Sequence, residues 1–547
     1  MKASDLFLQC LEEEGVKEIY GVPGEENADI MISLLDSPIE FVVCHHEQAA
    51  AFMADVSGRL TGKPGVCLST LGPGATNMAT GVANANMDNS PLVAIVAQAG
   101  TNRLHKESHQ NMDAINLYKP ITKWNQSVFQ ADNIPEVIHK AFKRAATEKP
   151  GACMVELPED IARQETHVRP FNAAEKARRP APDEKSVKQA VELLARAKKP
   201  IILAGNGCVR TRASKQLNRF VDKTGIHVAN TFMGKGAISE RHDRCLFAAG
   251  LGLKDHVSYA FSKADLVICI GYDMVEWHPH FWNIGSDKKI IHIDFEPAEV
   301  DRHYRTDVEI VGDLAGSLWA LTESFGEGHS WDTREFRDER AHMLEELQGF
   351  GTDDGFPIKP QKILSDLRSV MRDEDILVSD VGAHKMWVAR HYPTYHPGSC
   401  IISNGFCSMG IALPGALSAK RLYPEKNVVG LSGDGGFLMN VQELATAVQY
   451  DIPATILVWE DGGYGLIKWK QMNRFGKYSH TDFRNPDLVR MAESFGCNAV
   501  RVESARDLIP ALQSGFLEKK KPTVIVVPVD YGENMKLTEK LGKIISH

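Results

Sequence analysis

The run Val428-Val429-Gly430-Leu431-Ser432-Gly433-Asp434-Gly435-Gly436-Phe437, followed by the acid pair Glu460-Asp461, holds the residues best suited to binding a diphosphate and a metal. Glycines at 433, 435 and 436 let the backbone turn tightly and approach a ligand. Two carboxylates facing a pyrophosphate repel it unless a hard divalent cation lies between, and Mg²⁺ suits that mixture of carboxylate, carbonyl and phosphate oxygens. A Gly-Asp-Gly alone is also an ordinary turn after a strand, and the acid pair at this spacing is what favours a metal site.

The elements that must position these groups are legible around them. The apolar run before Gly433 predicts a buried parallel strand, and a helix should follow, with Asn440 capping its N-terminus and Glu443 three residues on. Leu444, Ala447 and Val448 supply its apolar face, and Ala454 to Trp459 is the next strand. Strand, glycine turn, helix and strand make a βαβ unit, whose ligand crevice lies beyond the strand carboxyl ends. Asp434 and Asp461 sit at those ends.

This stretch resembles the thiamine diphosphate signature, a Gly-Asp-Gly followed about two dozen residues later by Asn-Asn, with Glu460-Asp461 replacing the asparagines. The resemblance implies that Asp434, Asp461 and the Gly463 carbonyl hold Mg²⁺, and that Gly433, Gly435 and Gly436 lie against the cofactor. Glu460 departs from the family pattern and reads as a loop residue.

The N-terminal third carries the matching chemistry. Phe41 to Cys44 predicts a short strand, and His45-His46-Glu47-Gln48 lies where it gives way to a helix. Taken alone, a glutamate opening a helix is a partner for the helix dipole. The segment His-Glu-Gln-Ala-Ala-Ala-Phe-Met-Ala resembles the one in which thiamine enzymes place a carboxyl on N1′ of the aminopyrimidine, promoting its imino form for removal of the thiazolium C2 proton. That task needs a carboxyl sharing a proton in a dry pocket. Gly21-Val22-Pro23-Gly24 upstream and Ser69 to Asn77 downstream resemble the turns lining the pyrimidine pocket, so Pro23, Gly24, Pro73 and Asn77 join Glu47 as expected cofactor contacts.

In the C-terminal third, Asp380-Val381-Gly382-Ala383-His384 resembles the diphosphate-contacting turn, with Val381 and Gly382 against the cofactor and His384 donating to an anionic oxygen; Asp380 equally suits a helix cap. Ser403 to Gly410 resembles the segment where backbone groups meet the aminopyrimidine. Cys407 falls in it, and Met409 matches the bulky side chain that wedges pyrimidine against thiazolium, although a single Met is also ordinary core filler. Tyr464, Gly465 and Leu466 open the helix that follows the expected metal ligands, and the resemblance places them against the cofactor too.

Over nearly its whole length the chain is similar to acetolactate synthases, particularly the catabolic, FAD-independent type. Arg59 to Val66, Pro120 to Lys123, Gly271 to Glu276, Phe281 to Asn283 and Pro528 to Tyr531 carry the similarity. The flavin-dependent synthases have Arg-Phe-Asp-Asp-Arg where this chain has Gly-Tyr-Asp-Met-Val-Glu, so no functional FAD is expected. Gly205-Asn206-Gly207 lacks the G-x-G-x-x-G pattern and reads as a plain turn. The resemblance implies decarboxylation of pyruvate and joining of the two-carbon unit to a second pyruvate, giving 2-acetolactate and CO₂. Gln110 aligns with a glutamine beside the reacting carbon and His109 with an aromatic position; a surface His-Gln pair is the alternative. Ile467 and Lys470 would face the substrate. Lys470 replaces a glutamine or tryptophan of the relatives, and either binds the acceptor carboxylate or lies on a solvated helix face. A 2-ketoacid decarboxylase, a carboligase using glyoxylate or an aldehyde, and a non-catalytic relative of the fold stay open beside acetolactate synthase.

Composition bounds the rest. At 547 residues with 43% hydrophobic residues the chain suits three domains. The expected class is α/β, three doubly wound parallel-sheet domains: a pyrimidine-binding domain over 1–170, a central domain over 187–345 and a diphosphate- and Mg-binding domain over 360–547. Linkers are predicted at Asn172 to Ser186 and Gly349 to Gln361, where Pro, Gly and charge concentrate. Ile202-Ala204, Leu266-Gly271, Ile290-Asp294 and Val524-Pro528 read as buried strands between amphipathic helices. A net charge of −9 argues against nucleic acid or anionic membrane as partner. Ten cysteines without a C-x-x-C pair read as reduced thiols, and acids at the N-terminus argue against a signal peptide, so a cytoplasmic protein is expected. The family places each cofactor between the pyrimidine domain of one subunit and the diphosphate domain of another, which implies a homodimer at least and favours a homotetramer. A role in branched-chain amino acid synthesis and one in acetoin formation both fit.

Overall fold

The structure, a computed structural model, describes residues 1–171, 179–252, 254–326 and 329–541, and shows three six-stranded sheets in succession, every strand pair parallel. Part of the first predicted linker, 172–178, lies outside the described residues. The first sheet comprises β1 (Glu18–Gly21), β2 (Glu40–Val43), β3 (Gly65–Ser69), β4 (Leu92–Gln98), β5 (Trp124–Ser127) and β6 (Ala152–Pro158), in the order β2-β1-β3-β4-β6-β5. Its central strands are buried on both faces, which is why they read as unbroken apolar runs rather than alternations.

The second sheet is built from β7 (Pro200–Ala204), β8 (His227–Asn230), β9 (Cys245–Ala248), β10 (Leu266–Ile270), β11 (Lys289–Asp294) and β12 (Val308–Val311). Its order, β12-β11-β10-β7-β8-β9, is that of the doubly wound dinucleotide-binding fold. The third holds β13 (Ile376–Ser379), β14 (Cys400–Ile402), β15 (Val428–Gly433), β16 (Thr455–Glu460), β17 (Asn498–Arg501) and β18 (Thr523–Pro528). It repeats the order of the first, β14-β13-β15-β16-β18-β17. The chain runs outward from β13 to β14 and returns to β15, so a crevice opens between the carboxyl ends of β13 and β15.

The first and third domains share one hydrophobic core. The helix Glu47–Thr61 presents Ala50, Phe52, Met53 and Val56 to it, and the helix Ala412–Leu422 presents Leu413, Ala416 and Leu417. The two approach so closely at Gly415 that an added Cβ would lie 2.8 Å from Val56 Cγ2. Beside this core, Arg59 ion-pairs with the fully buried carboxylates of Asp55 (2.7 Å) and Asp88 (2.6 Å). Asp88 in turn accepts from Ser403 Oγ (2.6 Å) and the Gly405 amide (2.7 Å).

One local expectation fails. Asn440 caps no helix: the helix after β15 starts at Asp434 and ends at Met439, and a second begins at Glu443 with Gln442 as its N-cap. The Asn440 amide is buried and better used on the Gly410 carbonyl, 2.7 Å away. Glu443 is likewise drawn from local capping, accepting the His45 amide of the first domain at 3.1 Å. Burial pushes the Glu443 carboxyl up to about 7.

Candidate active site

The crevice of the third sheet opens into a cavity of about 250 Å³ that also reaches the central domain. Its wall brings together Val381, Gly382 and His384 beyond β13, Gly433, Gly435 and Gly436 beyond β15, and Asp461, Gly463, Tyr464, Gly465, Leu466, Ile467 and Lys470 beyond β16. Cys407 and Met409 close one side. The groups come together because three neighbouring parallel strands end at the same edge and each gives way to a helix there.

Asp434 lies beneath this wall, fully buried. Its Oδ2 accepts the amides of Asp461 (3.1 Å) and Gly462 (2.7 Å) and the side-chain amide of Asn485 (2.7 Å), while Oδ1 accepts from Gly435 N (2.8 Å). Burial, then the charge of Asp434, pushes the Asp461 carboxyl up to about 7. A divalent cation between the two acids would remove that penalty, so the donor set fits a hard metal. Glu460, at the end of β16, points elsewhere and pairs with Arg501.

The anion side of the crevice fits a diphosphate equally well. His384 Nε2 is buried with no hydrogen-bond partner among the described residues, and burial holds the ring neutral, down to about 3. An added Cβ at Gly435 would stand 3.0 Å from the Tyr464 ring and one at Gly436 2.9 Å from Ser432 Oγ, so this cradle admits only bare backbone. Asp380 is a structural hub. Its Oδ1 accepts the amides of Val381 (2.7 Å) and Gly410 (2.8 Å), and its Oδ2 accepts from Ser432 Oγ (3.0 Å), tying the turn after β13 to the Ser403–Gly410 segment.

The N-terminal candidates gather at a different place. Glu47 is the first residue of its helix, with His46 as N-cap, and is 8% exposed; its Oε2 accepts from Asn77 Nδ2 at 3.0 Å. An added Cβ on Gly24 would meet Thr70 Cβ at 2.5 Å, and one on Gly72, at φ +43°, would meet the Gln110 carbonyl at 2.4 Å. The turns carrying Gly24 and Gln110 thereby pack against the turn at residues 70–72, which leads into the helix bearing Pro73 and Asn77, the partner of Glu47. Pro23, Pro73, Asn77, His109 and Gln110 are exposed. None of these residues lines the cavity described above.

Several cavity residues were given no role from sequence. Glu276 and Tyr531 sat in runs quoted only for family likeness, whereas Phe232 and Lys385 carried no signal of their own. Asn485, the side chain bound to Asp434, sits in irregular chain where no periodicity marks it.

Family comparisons agree with this division. The description "Thiamine pyrophosphate enzyme, N-terminal TPP binding domain" matches residues 1–117, the central domain of the same enzymes 187–321, and their C-terminal TPP binding domain 380–527. The acetolactate synthase of Bacillus subtilis (strain 168) is 35% identical, over 99% of this chain and 96% of its own. A probable acetolactate synthase large subunit of Methanocaldococcus jannaschii is 35% identical, over 100% of this chain and 94% of its own. The catabolic acetolactate synthase of Raoultella terrigena is 34% identical, over 98% and 97%. Three parallel sheets in this order, a glycine cradle beside paired acids and similarity running end to end place the chain in the acetolactate synthase family of thiamine pyrophosphate enzymes.

Proposed function

We propose that the protein is an acetolactate synthase, which decarboxylates pyruvate and joins the remaining two-carbon unit to the keto carbon of a second 2-ketoacid. The observation that carries this function is the crevice beyond β13, β15 and β16, where a partnerless buried histidine nitrogen, a glycine cradle and two acids converge in a chain of this family.

Bound thiamine diphosphate supplies the electron sink that accepts the charge left by departing CO₂. Asp434, Asp461 and the Gly463 carbonyl would hold Mg²⁺, and His384 Nε2 would donate to the diphosphate. Val381, Gly382, Gly433, Gly435, Gly436, Tyr464, Gly465 and Leu466 would line the cofactor, and Met409 would pack against it. Glu47 holds the proton on the aminopyrimidine nitrogen, and Asn77, bonded to its Oε2, orients it. Gln110 and His109 orient the acceptor and shield the reacting carbon from water, which would otherwise divert the product to acetaldehyde.

Glu47 lies outside the cavity that holds the metal acids, and the residues around it are exposed. A second copy of this chain would bring its Glu47 patch over the cavity, so the working unit is a homodimer or a pair of them, with the cofactor at the subunit interface. FAD has no part in this function. The Glu276 carboxylate takes up the Asn206 amide (3.0 Å) and the Asp273 amide (3.1 Å) beyond β7 and β10, and Lys149 pairs with Asp273 (2.5 Å) and Asp294 (3.3 Å) there. All ten cysteines are free, which suits a reducing cytoplasm. Among the described residues no helix is long and apolar enough to cross a membrane.

Purified protein with pyruvate, thiamine diphosphate and Mg²⁺, without FAD, tests the function. Pyruvate loss with acetolactate or a mixed 2-acetyl-2-hydroxy acid as product supports it. Acetaldehyde as main product replaces it with a decarboxylase.

A further inference from the structure

Two lysines of the cavity are left over from the function above. Lys385 follows His384 in the helix Ala383–His391 and is 6% exposed; its Nζ donates to Asn404 Oδ1 at 2.9 Å and lies 3.2 Å from Cys407 Sγ. Lys470, half-buried on the helix Gly465–Phe475, lines the same cavity and makes no hydrogen bond or ion pair among the described residues. Burial, and then the charge of Lys385, push Lys470 below the ordinary lysine range. The two lysines thus line one cavity together with Cys407.

Neither has a carboxylate partner among the described residues. The cavity wall offers two acids, and both are committed: Asp461 beside Asp434 at the metal end, and Glu276 to the backbone of Asn206 and Asp273 and the hydroxyl of Thr231. Taking an ammonium from water without a counter-charge is strongly unfavourable, and a second nearby adds repulsion. Such a pair fits a site that is neutralised by what enters it.

Three anions are available. The cofactor's diphosphate belongs with His384, the glycine cradle and the metal acids, whereas Lys385 reaches instead to Asn404 and Cys407, the segment expected at the aminopyrimidine. The donor's carboxylate leaves as neutral CO₂, so a cation gripping it would favour the ground state over the transition state. The acceptor's carboxylate persists through the reaction, and one carboxylate neutralises one lysine.

We propose that Lys385 and Lys470 form an acceptor subsite for a 2-ketoacid bearing a second anionic group, a carboxylate, sulfonate or phosphonate, in preference to pyruvate. This rests on the donor half of the proposed function. Pyruvate loses CO₂, a bond forms between its former keto carbon and the keto carbon of the acceptor, and the acceptor's carbonyl oxygen takes up one proton to become a hydroxyl. The product keeps both acceptor charges.

The test uses the full-length protein with thiamine diphosphate, Mg²⁺ and ¹³C-labelled pyruvate. 2-Oxoglutarate, phosphonopyruvate and sulfopyruvate are offered as dianionic acceptors and 2-oxobutyrate as the monoanionic control, with products identified by NMR. At least one dianion should exceed 2-oxobutyrate about tenfold or more in kcat/KM. Lys385→Met and Lys470→Met should each lower that ratio about tenfold, through the KM of the dianion. Pyruvate consumed with acetolactate alone, or with no dianion favoured, overturns the proposal and leaves the donor half standing. No loss of pyruvate with any acceptor overturns both. Cofactor affinity, read by tryptophan fluorescence, separates the remaining case: a tenfold loss in Lys385→Met with an unchanged acceptor ratio assigns that lysine to the cofactor and overturns the proposal.

Discussion

The proposed metal site makes a measurable prediction at Asp461. Its carboxyl is pushed up to about 7 by burial and by Asp434, so a cation entering the site must displace a proton whenever the pH is below that value. Since the cation binds the ionised form, affinity is at its plateau above about pH 8 and falls roughly tenfold for each pH unit below 7. The apparent dissociation constant at about pH 5 should therefore stand roughly 100-fold above the plateau. The same group acts on the cation-free fold with the opposite slope. A carboxyl raised by folding contributes stability that is complete below its unfolded-state value and is lost as pH rises through about 7. Cation-free protein should thus gain most from added metal on the alkaline side. Mn²⁺, counted free by electron paramagnetic resonance in cofactor-free protein, is a convenient probe, and calorimetry in two buffers of different ionisation heat gives the protons released, about one per metal near pH 6. Asp461→Asn should flatten the profile and weaken binding at about pH 8. A wild-type affinity constant within twofold from about pH 5.5 to 8, with no proton release, would refute the electrostatic coupling of the two acids.

Glu47→Gln keeps the size and the bond to Asn77 but cannot hold the aminopyrimidine proton as a carboxyl does; turnover should fall by about 10² to 10⁴ while cofactor affinity, read by fluorescence, moves little. Arg59→Leu strands the buried carboxylates of Asp55 and Asp88, and urea denaturation should show a loss of about 3–5 kcal/mol together with weaker cofactor binding, because Asp88 also holds Ser403 and Gly405. His227 is buried against Phe336 with neither ring nitrogen bonded among the described residues, and burial first, then Arg244 and Arg340, push it down to about 3. The unfolded chain therefore binds the extra proton below about pH 6.5, and this residue should erode stability by up to about 1.4 kcal/mol per pH unit between there and 3. His227→Phe should flatten that part of a melting-temperature profile, and an unchanged slope would count against it.

Much of the fold was legible because parallel strands buried on both faces leave unbroken apolar runs, as at Leu92–Gln98 and Thr523–Pro528. The placing of the two acids proposed to hold the metal was legible because a βαβ unit brings strand ends, and so Asp434 and Asp461, to one edge by topology alone. What the sequence withheld depends on contacts between distant parts. Lys385 looks like an ordinary helical lysine until Asn404 and Cys407 fold over it, and Asn485 reaches Asp434 from irregular chain. Asn440 and Glu443 carry a local capping pattern, yet tertiary partners at Gly410 and His45 took both side chains.

The core shared by the first and third domains also bears on how the protein is made. The apolar face of the helix Glu47–Thr61 is covered by the helix Ala412–Leu422, which is synthesised about 350 residues later. At about 5–20 residues per second a ribosome takes roughly 20–70 s to supply that cover. During the interval the emerging first domain has a finished sheet but an open apolar flank, the kind of surface on which nascent chains associate or recruit chaperones. Slower translation of the middle of the gene lengthens that exposure, so the yield of soluble protein should respond to elongation rate even though no residue of the mature molecule has changed.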